Sequence, residues 1–244
     1  MTQEKTIVIE GNTYSVVISD EKEALLAGKA AKRALIGFQS RENLDLGPAL
    51  YVVESLDDLK DRYVENVVRR TYGLPWRITQ TKRLLIREFQ IGDENQVLQD
   101  ETDTEADRIF CRQQSLSDYI KCQYGFYEYG LWALTNRHTG ELVGKAGLIQ
   151  VSYEKGPWEG ERLCMELGYQ IFAPYRRRGY AKEAVQGILK MLETQAEKPY
   201  CVYAKIDASN EASIQVALSC GLRRISQKYS EEKQWKCLYA DCWK

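Results

Sequence analysis

A strand pattern that runs directly into a basic loop and then into an amphipathic helix constrains this chain most. Met165–Phe172 has the alternation of a strand, and Pro174 ends it because proline cannot donate to a sheet ladder. Arg176–Gly179 follows, and the next segment, Ala181–Leu192, keeps the period of an amphipathic helix. The first amides of such a helix have no intrahelical partners and can bind an anion. The stretch predicts a pyrophosphate site, with an ordinary solvated basic turn as the alternative.

The surrounding residues mix strands and helices without the regular alternation of a doubly wound sheet. Thr81–Glu88 is a strand with basic flanks, and Tyr200–Ile206 is a strand after the amphipathic helix. Leu131–Leu134 and Leu142–Val151 predict an antiparallel pair across a turn. This order is typical of the α+β (mixed α/β) class.

Residues 1–76 predict a separate, small α/β domain that ends near the breaker Gly73-Leu74-Pro75. Gly11-Asn12 is a hairpin signal, and Asp20 stands where the N-cap of a following helix belongs. Residues 14–70 are similar to the C-terminal half of haloacid-dehalogenase-like folds, but no Asp-x-Asp nucleophile motif precedes them. We interpret the segment as an accessory domain for docking, dimerisation or sensing, or as a packing partner only.

Two motifs in the second segment occur together. Arg176, Gly179 and Ala181 read Arg-x-x-Gly-x-Ala, and Asn210-Glu211-Ala212-Ser213 opens a helix that is followed by Gly221. With these motifs the chain resembles the GNAT superfamily, whose acyl-CoA loop reads Gln/Arg-x-x-Gly-x-Gly/Ala and whose Asn-x-x-Ser helix precedes Gly-Phe. A leucine replaces that aromatic residue here.

The resemblance covers residues 79–244 and is similar in detail to the RimJ/RimL-like branch of ribosomal-protein N-terminal acetyltransferases, because Glu166–Tyr169 and Glu183-Ala184 look like that branch. It implies a GNAT fold, in which a central mixed, largely antiparallel sheet is flanked by helices. The small α/β domain of residues 1–76 would precede this fold.

The resemblance also implies acetyl-CoA as the cosubstrate, without a metal. Backbone groups of the strand end would hold the pantetheine, loop amides would take the pyrophosphate, and the asparagine would bond the pantetheine arm while also capping its helix. The cofactor-binding residues implied are Gln170, Ile171, Phe172, Arg176, Arg177, Arg178, Gly179, Tyr180, Ala181 and Asn210.

Two residues are candidates for proton transfer. Glu166 would be the base, acting through water, since strand alternation places it on the face shared with Gly168 and Gln170. A purely structural carboxylate is the alternative. Ser213 would protonate the departing thiolate, because Ala217 stands where many members of the superfamily have a tyrosine. Its alternative role is to cap the first helical turn.

The acceptor is indicated by seven acidic residues between Asp93 and Asp107, a stretch without lysine or arginine. In the resembled fold this connection borders the acceptor cleft, which implies a cationic amine or a peptide or protein N-terminus. A solvated, helix-capping loop is the alternative. The aromatic run Tyr124–Tyr129 would line the same cleft or pack in the core.

Composition excludes several other classes of function. The formal net charge of -1 gives no reason to expect a nucleic-acid or membrane partner, and the polar N-terminus lacks a secretory segment, so we expect a cytoplasmic protein. A single histidine, His138, and seven scattered cysteines without a Cys-x-x-Cys pair argue against a metal site or a disulfide framework.

We therefore predict an acetyl-CoA-dependent N-acetyltransferase that moves an acetyl group directly to a primary amine, either a small molecule or a peptide N-terminus. The alternative is a non-catalytic acyl-CoA-binding regulatory module. Retention of both Glu166 and Ser213 favours catalysis. The sequence leaves a homodimer open.

Overall fold

The computed structural model describes residues 1–42, 44–101, 103–155, 161–195, 200–230 and 233–242. The chain divides into two compact units, Met1–Trp76 and Arg77–Lys244. In the described part of the chain, no helix combines the length and the apolar character needed to cross a membrane.

The first unit is a sheet of four strands with one helix on each face. Strands β1 and β2 are antiparallel, whereas β2, β3 and β4 are parallel, in the order β1-β2-β3-β4. Its elements are β1 (Thr2–Ile9), β2 (Asn12–Ser19), α1 (Lys22–Ala30), β3 (Ala34–Phe38), β4 (Tyr51–Val53) and α2 (Asp61–Thr71).

The consecutive apolar residues of β2 explain why both faces of this sheet are covered. Val16 and Ile18 pack toward α2, and Val17 packs toward Leu25 of α1, because neighbouring residues of a strand point to opposite faces. The hairpin turn lies at Glu10 and Gly11, whose φ angles are 53° and 82°, one residue before the predicted position.

The predicted N-cap role of Asp20 is wrong. Helix α1 begins after Glu21, and no side chain caps it. Asp20 instead accepts hydrogen bonds from Ser40 Oγ, at 2.8 Å, and from the amino group of Met1. The pairing of β1 with β2 brings the first residue of the chain beside Asp20, which the local sequence does not show.

The second unit is built on a sheet of eight strands in the order β11-β12-β10-β9-β8-β7-β6-β5. Its strands are β5 (Arg77–Gln80), β6 (Leu84–Arg87), β7 (Leu131–Asn136), β8 (Leu142–Lys155), β9 (Glu161–Ile171), β10 (Tyr200–Asp207), β11 (Arg223–Ser230) and β12 (Lys233–Cys242). Its α-helices are α3 (Glu105–Arg108), α4 (Gln113–Tyr119), α5 (Tyr180–Gln195) and α6 (Glu211–Ser219), and a π-helix spans Ile120–Tyr127.

The pairing of these strands confirms the predicted fold class. Among the described strands of this sheet, β9 and β10 are the one parallel pair, and the other neighbours are antiparallel. The predicted apolar face of α5 is also confirmed, because Ala184, Val185 and Ile188 are fully buried. A mixed, largely antiparallel sheet flanked by helices results.

The aromatic run Tyr124–Tyr129 divides between core and surface. Tyr124 is fully buried and its hydroxyl donates to the carbonyl of Leu131, while Tyr119 Oη accepts from the amide of Leu131 at 2.7 Å. Burial raises the pKa of Tyr119 to about 12, so this phenol stays neutral. Phe126 and Tyr127, in contrast, are exposed.

Candidate active site

A gap in the sheet of the second unit positions the candidate site. The parallel strands β9 and β10 pair only from Leu163 with Tyr200 to Glu166 with Tyr203. Beyond that pair β9 continues along β8, and β10 continues along β12. Alternate backbone groups at the end of β9 therefore face a gap in place of a neighbouring strand.

The first cavity occupies this gap and has a volume of about 700 Å³. It is bounded by the end of β9, by the loop before α5 and by the start of α6. Its lining residues are Asp107, Tyr169, Gln170, Ile171, Tyr175, Arg176, Arg177, Gly179, Tyr180, Ala181, Lys182, Asn210, Ala212, Ser213 and Val216. Of the predicted cofactor-binding residues, Phe172 and Arg178 are not among the described residues that line it, and Phe172 is buried.

The loop before α5 turns sharply through two left-handed residues, Arg177 with φ 59° and Gly179 with φ 80°. The carbonyl of Gly179 accepts from the amide of Glu183 at 3.1 Å, the hydrogen bond that opens the helix. The amides of the first turn precede this bond and remain available at the cavity wall. The geometry is that of an anion-binding helix start.

The three consecutive arginines of this loop have different partners. Arg176 donates through Nε to the carbonyl of Ile171 at 2.9 Å and through Nη2 to Asp100 Oδ2 at 2.7 Å. The guanidinium of Arg178 lies 5.7 Å from the centre of the Tyr175 ring. Arg177 lines the cavity. Part of the positive charge of the loop, that of Arg176, is therefore paired with a carboxylate of the same chain.

Glu183, in the first turn of α5, holds the loop before α5 in place. Its carboxylate accepts from the hydroxyl of Thr81 at 2.6 Å and from Arg83 Nε at 2.6 Å, and Arg83 Nη1 bonds the carbonyl of Arg178. Burial alone would raise the pKa of Glu183, but the hydrogen bonds from Thr81 and Arg83 outweigh it and lower the pKa. The carboxylate stays charged and fixes the loop to the edge of the sheet.

Helix α6 brings Asn210 and Ser213 to the opposite wall of the cavity. Asn210 Oδ1 accepts from the amide of Ser213 at 3.1 Å, so the predicted N-cap is confirmed. Tyr169 Oη donates to the carbonyl of Ser213 at 2.6 Å, and burial raises the pKa of this phenol. Tyr169 thereby ties the end of β9 to the start of α6 across the gap.

A second cavity of about 290 Å³ adjoins the first. Its lining residues are Asp107, Leu131, Lys145, Ile149, Leu167, Gly168, Tyr169, Gln170, Lys205, Ile206, Asp207, Asn210 and Ser213. Five described residues line both cavities, namely Asp107, Tyr169, Gln170, Asn210 and Ser213. The two cavities therefore share a wall at the end of β9 and the start of α6.

A known protein family matches most of the second unit. A family model described as an acetyltransferase (GNAT) domain matches residues 83–223, more than half of the chain. The chain belongs to the GNAT acetyltransferase family. The predicted superfamily is thus confirmed over the unit that contains the gap.

Individual relatives of this GNAT domain are distant. The chain is 33% identical over 98 residues to the uncharacterised protein YkkB of Bacillus subtilis (strain 168), an alignment that covers 39% of this chain. The alignment spans 52% of that protein, so about half the length of the curated relative is matched.

Solved structures show the same fold. A putative ribosomal-protein-serine acetyltransferase from Vibrio cholerae superposes with a TM-score of 0.51 at 21% identity, covering 67% of this chain and 97% of that one. The RimL ribosomal alpha-N-protein acetyltransferase in complex with coenzyme A gives a TM-score of 0.53 at 11% identity, with coverages of 67% and 97%.

The acidic segment of this GNAT domain is largely bound to its own chain. Asp93 forms a buried pair with Arg87 at 2.7 Å, and Asp103 Oδ1 accepts from Gln170 Nε2 at 2.7 Å. Of the seven acidic residues, Asp107 is the one that lines the described cavities. Most of these acidic residues therefore form hydrogen bonds or ion pairs within the chain, and among the described ones Asp107 borders the candidate site.

Glu166 is the last residue of β9 that pairs with β10, and the gap begins beyond it. Its Oε2 accepts from Lys205 Nζ at 2.8 Å, and its side chain is 13% exposed. Glu166 is not among the described residues that line either cavity, although its partner Lys205 lines the second.

Sequence reasoning missed the pair formed by Asp107 and Lys145. Lys145 Nζ lies 2.8 Å from Asp107 Oδ1 and 4.5 Å from the centre of the Phe110 ring, and the residue is 2% exposed. A signal was present, because Lys145 interrupts the apolar run of Leu142–Val151. A buried lysine inside a strand needs a carboxylate partner, which a single strand does not identify.

Proposed function

We propose that the chain is an acetyl-CoA-dependent N-acetyltransferase that moves an acetyl group directly to a primary amine. The observation that carries the proposal is the gap between β9 and β10, with the helix start of α5 on one wall and Asn210 and Ser213 on the other. The second cavity meets it where the reacting groups would lie.

Bound acetyl-CoA would supply the thioester whose acetyl group is transferred. The residues present fit such a ligand, because Gly179, with φ 80°, turns the loop so that the first residues of α5 line the first cavity, where their amides could bind a phosphate. Of the predicted Gln170, Ile171 and Phe172, Ile171 has its backbone on the unpaired edge of β9, so its amide would hold the pantetheine. Asn210, at the opposite wall, would bond the pantetheine arm.

Two proton movements accompany the transfer. The acceptor must lose a proton from its ammonium form before its lone pair can attack the carbonyl carbon. Ser213, which lines both cavities, would donate a proton to the thiolate as the carbon–sulfur bond breaks. Glu166 remains the candidate for accepting the amine proton through water, from its position at the start of the gap.

We infer the acceptor class, and the branch of the acetyltransferase family, with support from two fold neighbours. Two of them are described as acetyltransferases of ribosomal proteins, one of a serine and one of an α-amino group. Their acceptors support a peptide or protein N-terminus and the RimJ/RimL-like branch. Small cationic amines are the second acceptor class, supported by the carboxylate of Asp107 in the lining.

The experiment follows release of the CoA thiol from acetyl-CoA across N-terminal peptides, polyamines, aminoglycosides and amino acids. Acceptor-dependent release should fall about a hundredfold in Ser213→Ala, with the acetyl-CoA Kd unchanged. Ser219→Ala, at the other end of α6, is the matched control and should keep wild-type turnover. Glu166→Gln tests the base in the same assay.

Three outcomes separate the alternatives. Thiol release that depends on the acceptor and is lost in Ser213→Ala supports the enzyme and the role of the serine. Tight acetyl-CoA binding without turnover on any amine would establish the non-catalytic regulatory module. No acetyl-CoA binding at all would refute the proposal.

A further inference from the structure

Asp107 occupies a special place in the candidate site. Of the five described residues that line both cavities, it is the one with an ionisable carboxyl group. The amine of an acceptor must meet the thioester where the two cavities join. Asp207 lines the second cavity alone, and its Oδ1 already accepts from the amide and the hydroxyl of Ser209.

The carboxylate of Asp107 is held in one orientation. Oδ2 accepts from the amide of Thr104 at 2.9 Å and from its hydroxyl at 2.7 Å. The first of these bonds closes the capping box of α3 together with the bond from the amide of Asp107 to Thr104 Oγ1 at 3.3 Å. Oδ1 accepts from Lys145 Nζ at 2.8 Å. An oxygen of a carboxylate has room for two donors, so Oδ1 can take one more. The side chain is 27% exposed, enough for a ligand to reach it.

Lys145 cannot move away from this carboxylate easily. It is 2% exposed, lies over the Phe110 ring and has its Nζ within hydrogen-bond distance of Asp107. Breaking the contact would leave a buried ammonium without its anion, which is costly. Asp107 is therefore fixed as an anion at the junction of the cavities.

We propose that Asp107 binds the protonated amine of the acceptor at the junction of the two cavities and directs its nitrogen toward the thioester. The inference rests on the proposed function. Asp107 acts as a binding group, because Lys145 and Thr104 stabilise its anion; the amine proton leaves to water.

The test compares Asp107→Asn with the wild type on one N-terminal peptide without lysine or arginine. For the peptide, the acceptor KM should rise about tenfold or more in Asp107→Asn, the effect of one charge-assisted hydrogen bond. The acetyl-CoA Kd, measured by calorimetry, should stay within about twofold. Glu105→Gln is the matched control, since Glu105 is exposed on the same helix and pairs with Arg108.

A second variant guards against misfolding. Asp107→Glu keeps the charge and should restore part of the peptide KM. An acceptor KM that is equal in Asp107→Asn and Glu105→Gln would overturn the binding role.

The failure of the inference can be distinguished from failure of the proposed function. If the wild type releases no thiol with any amine, the enzyme itself is refuted. If the wild type turns over and binds acetyl-CoA normally in every variant while Asp107→Asn keeps its acceptor KM, the role of Asp107 alone is refuted.

Discussion

Arg176, Arg177 and Arg178 are neighbours in the chain, yet their side chains have different surroundings. Arg176 lines the first cavity while it is held by Asp100, Arg177 also lines this cavity, and Arg178 lies over the Tyr175 ring. A basic run in the sequence therefore predicts the charge of a loop, while long-range partners decide which side chains can reach a ligand.

Glu183 provides a prediction at the residue scale. Because its pKa is lowered in the folded protein, its ionised form contributes stability above the unfolded pKa of about 4.3, and this contribution disappears as the pH falls through the folded value. Glu183→Gln should lower the free energy of unfolding by about 1 kcal/mol at pH 7, a modest value because the partly exposed Arg83 is screened by solvent.

The measurement is denaturant unfolding of wild type and variant between pH 3 and 7. The difference between them should shrink as the pH falls below about 4. Glu193→Gln, on the last turns of the same helix, is the control. A difference that is constant across this range would show that the charge of Glu183 has no part in stability.

Residues whose roles depend on local backbone could be predicted from the sequence, and residues paired over long range could not. Gly179 and Asn210 set a loop and a helix cap within a few neighbours, and both lie where the motifs predict. Asp107 and Lys145 belong to different elements, and their pairing depends on how α3 packs over β8. Glu166, chosen by strand alternation, is paired with Lys205 for the same reason.

At the scale of elements, the strands with a clear alternation were predicted and the irregular elements were not. The register of β8 against β9 shifts at Ile149, a bulge that leaves this side chain 52% exposed beside Gly168 in the second cavity. A bulge adds one residue and leaves no mark in an apolar run. The π-helix of Ile120–Tyr127 is also not predicted, because its hydrogen-bond pattern requires no particular type of residue.

The loop before α5 gives a prediction about binding. Gly179→Ala places a Cβ on a residue with φ 80°, a conformation that costs an L-residue about 1–2 kcal/mol. The added Cβ would lie 3.4 Å from Nη2 of Arg83, the residue that bonds this loop. The acetyl-CoA Kd should rise about tenfold or more. Gly11→Ala has almost the same φ of 82° and no atom within 4 Å of its Cβ, so it should carry the same backbone strain without changing Kd.

Titration calorimetry with acetyl-CoA measures both variants. Equal Kd values for Gly179→Ala and the wild type would mean that the start of α5 does not bind the ligand. A rise of similar size in Gly11→Ala would assign the effect to backbone strain alone.

At the scale of the whole molecule, two units divide between Trp76 and Arg77, and each has its own buried core. The sequence predicts a boundary after Gly73-Leu74-Pro75 because breakers interrupt both neighbouring patterns. The purpose of the first unit was not readable, since a small sheet with two covering helices has no residue pattern that specifies a partner. We propose that it is an accessory unit outside the chemistry.

Removal of the first unit tests this division. Every described residue that lines the two cavities belongs to the second unit. Residues 77–244 alone should therefore bind acetyl-CoA with a Kd within about twofold of that of the full chain. Circular dichroism controls for folding of the fragment. A folded fragment that binds tenfold more weakly would assign the first unit a part in the site.

The short ladder between β9 and β10 has a thermodynamic consequence. Because the pairing stops at Glu166 and Tyr203, a bound guest molecule would complete backbone hydrogen bonds that a neighbouring strand otherwise makes. At a concentration a hundred times its Kd, such a guest adds about 2.7 kcal/mol to the free energy of unfolding. The stability of the folded protein would then rise and fall with the acetyl-CoA concentration. The β9 amides that face the gap would exchange with deuterium more slowly when acetyl-CoA is bound than when it is absent.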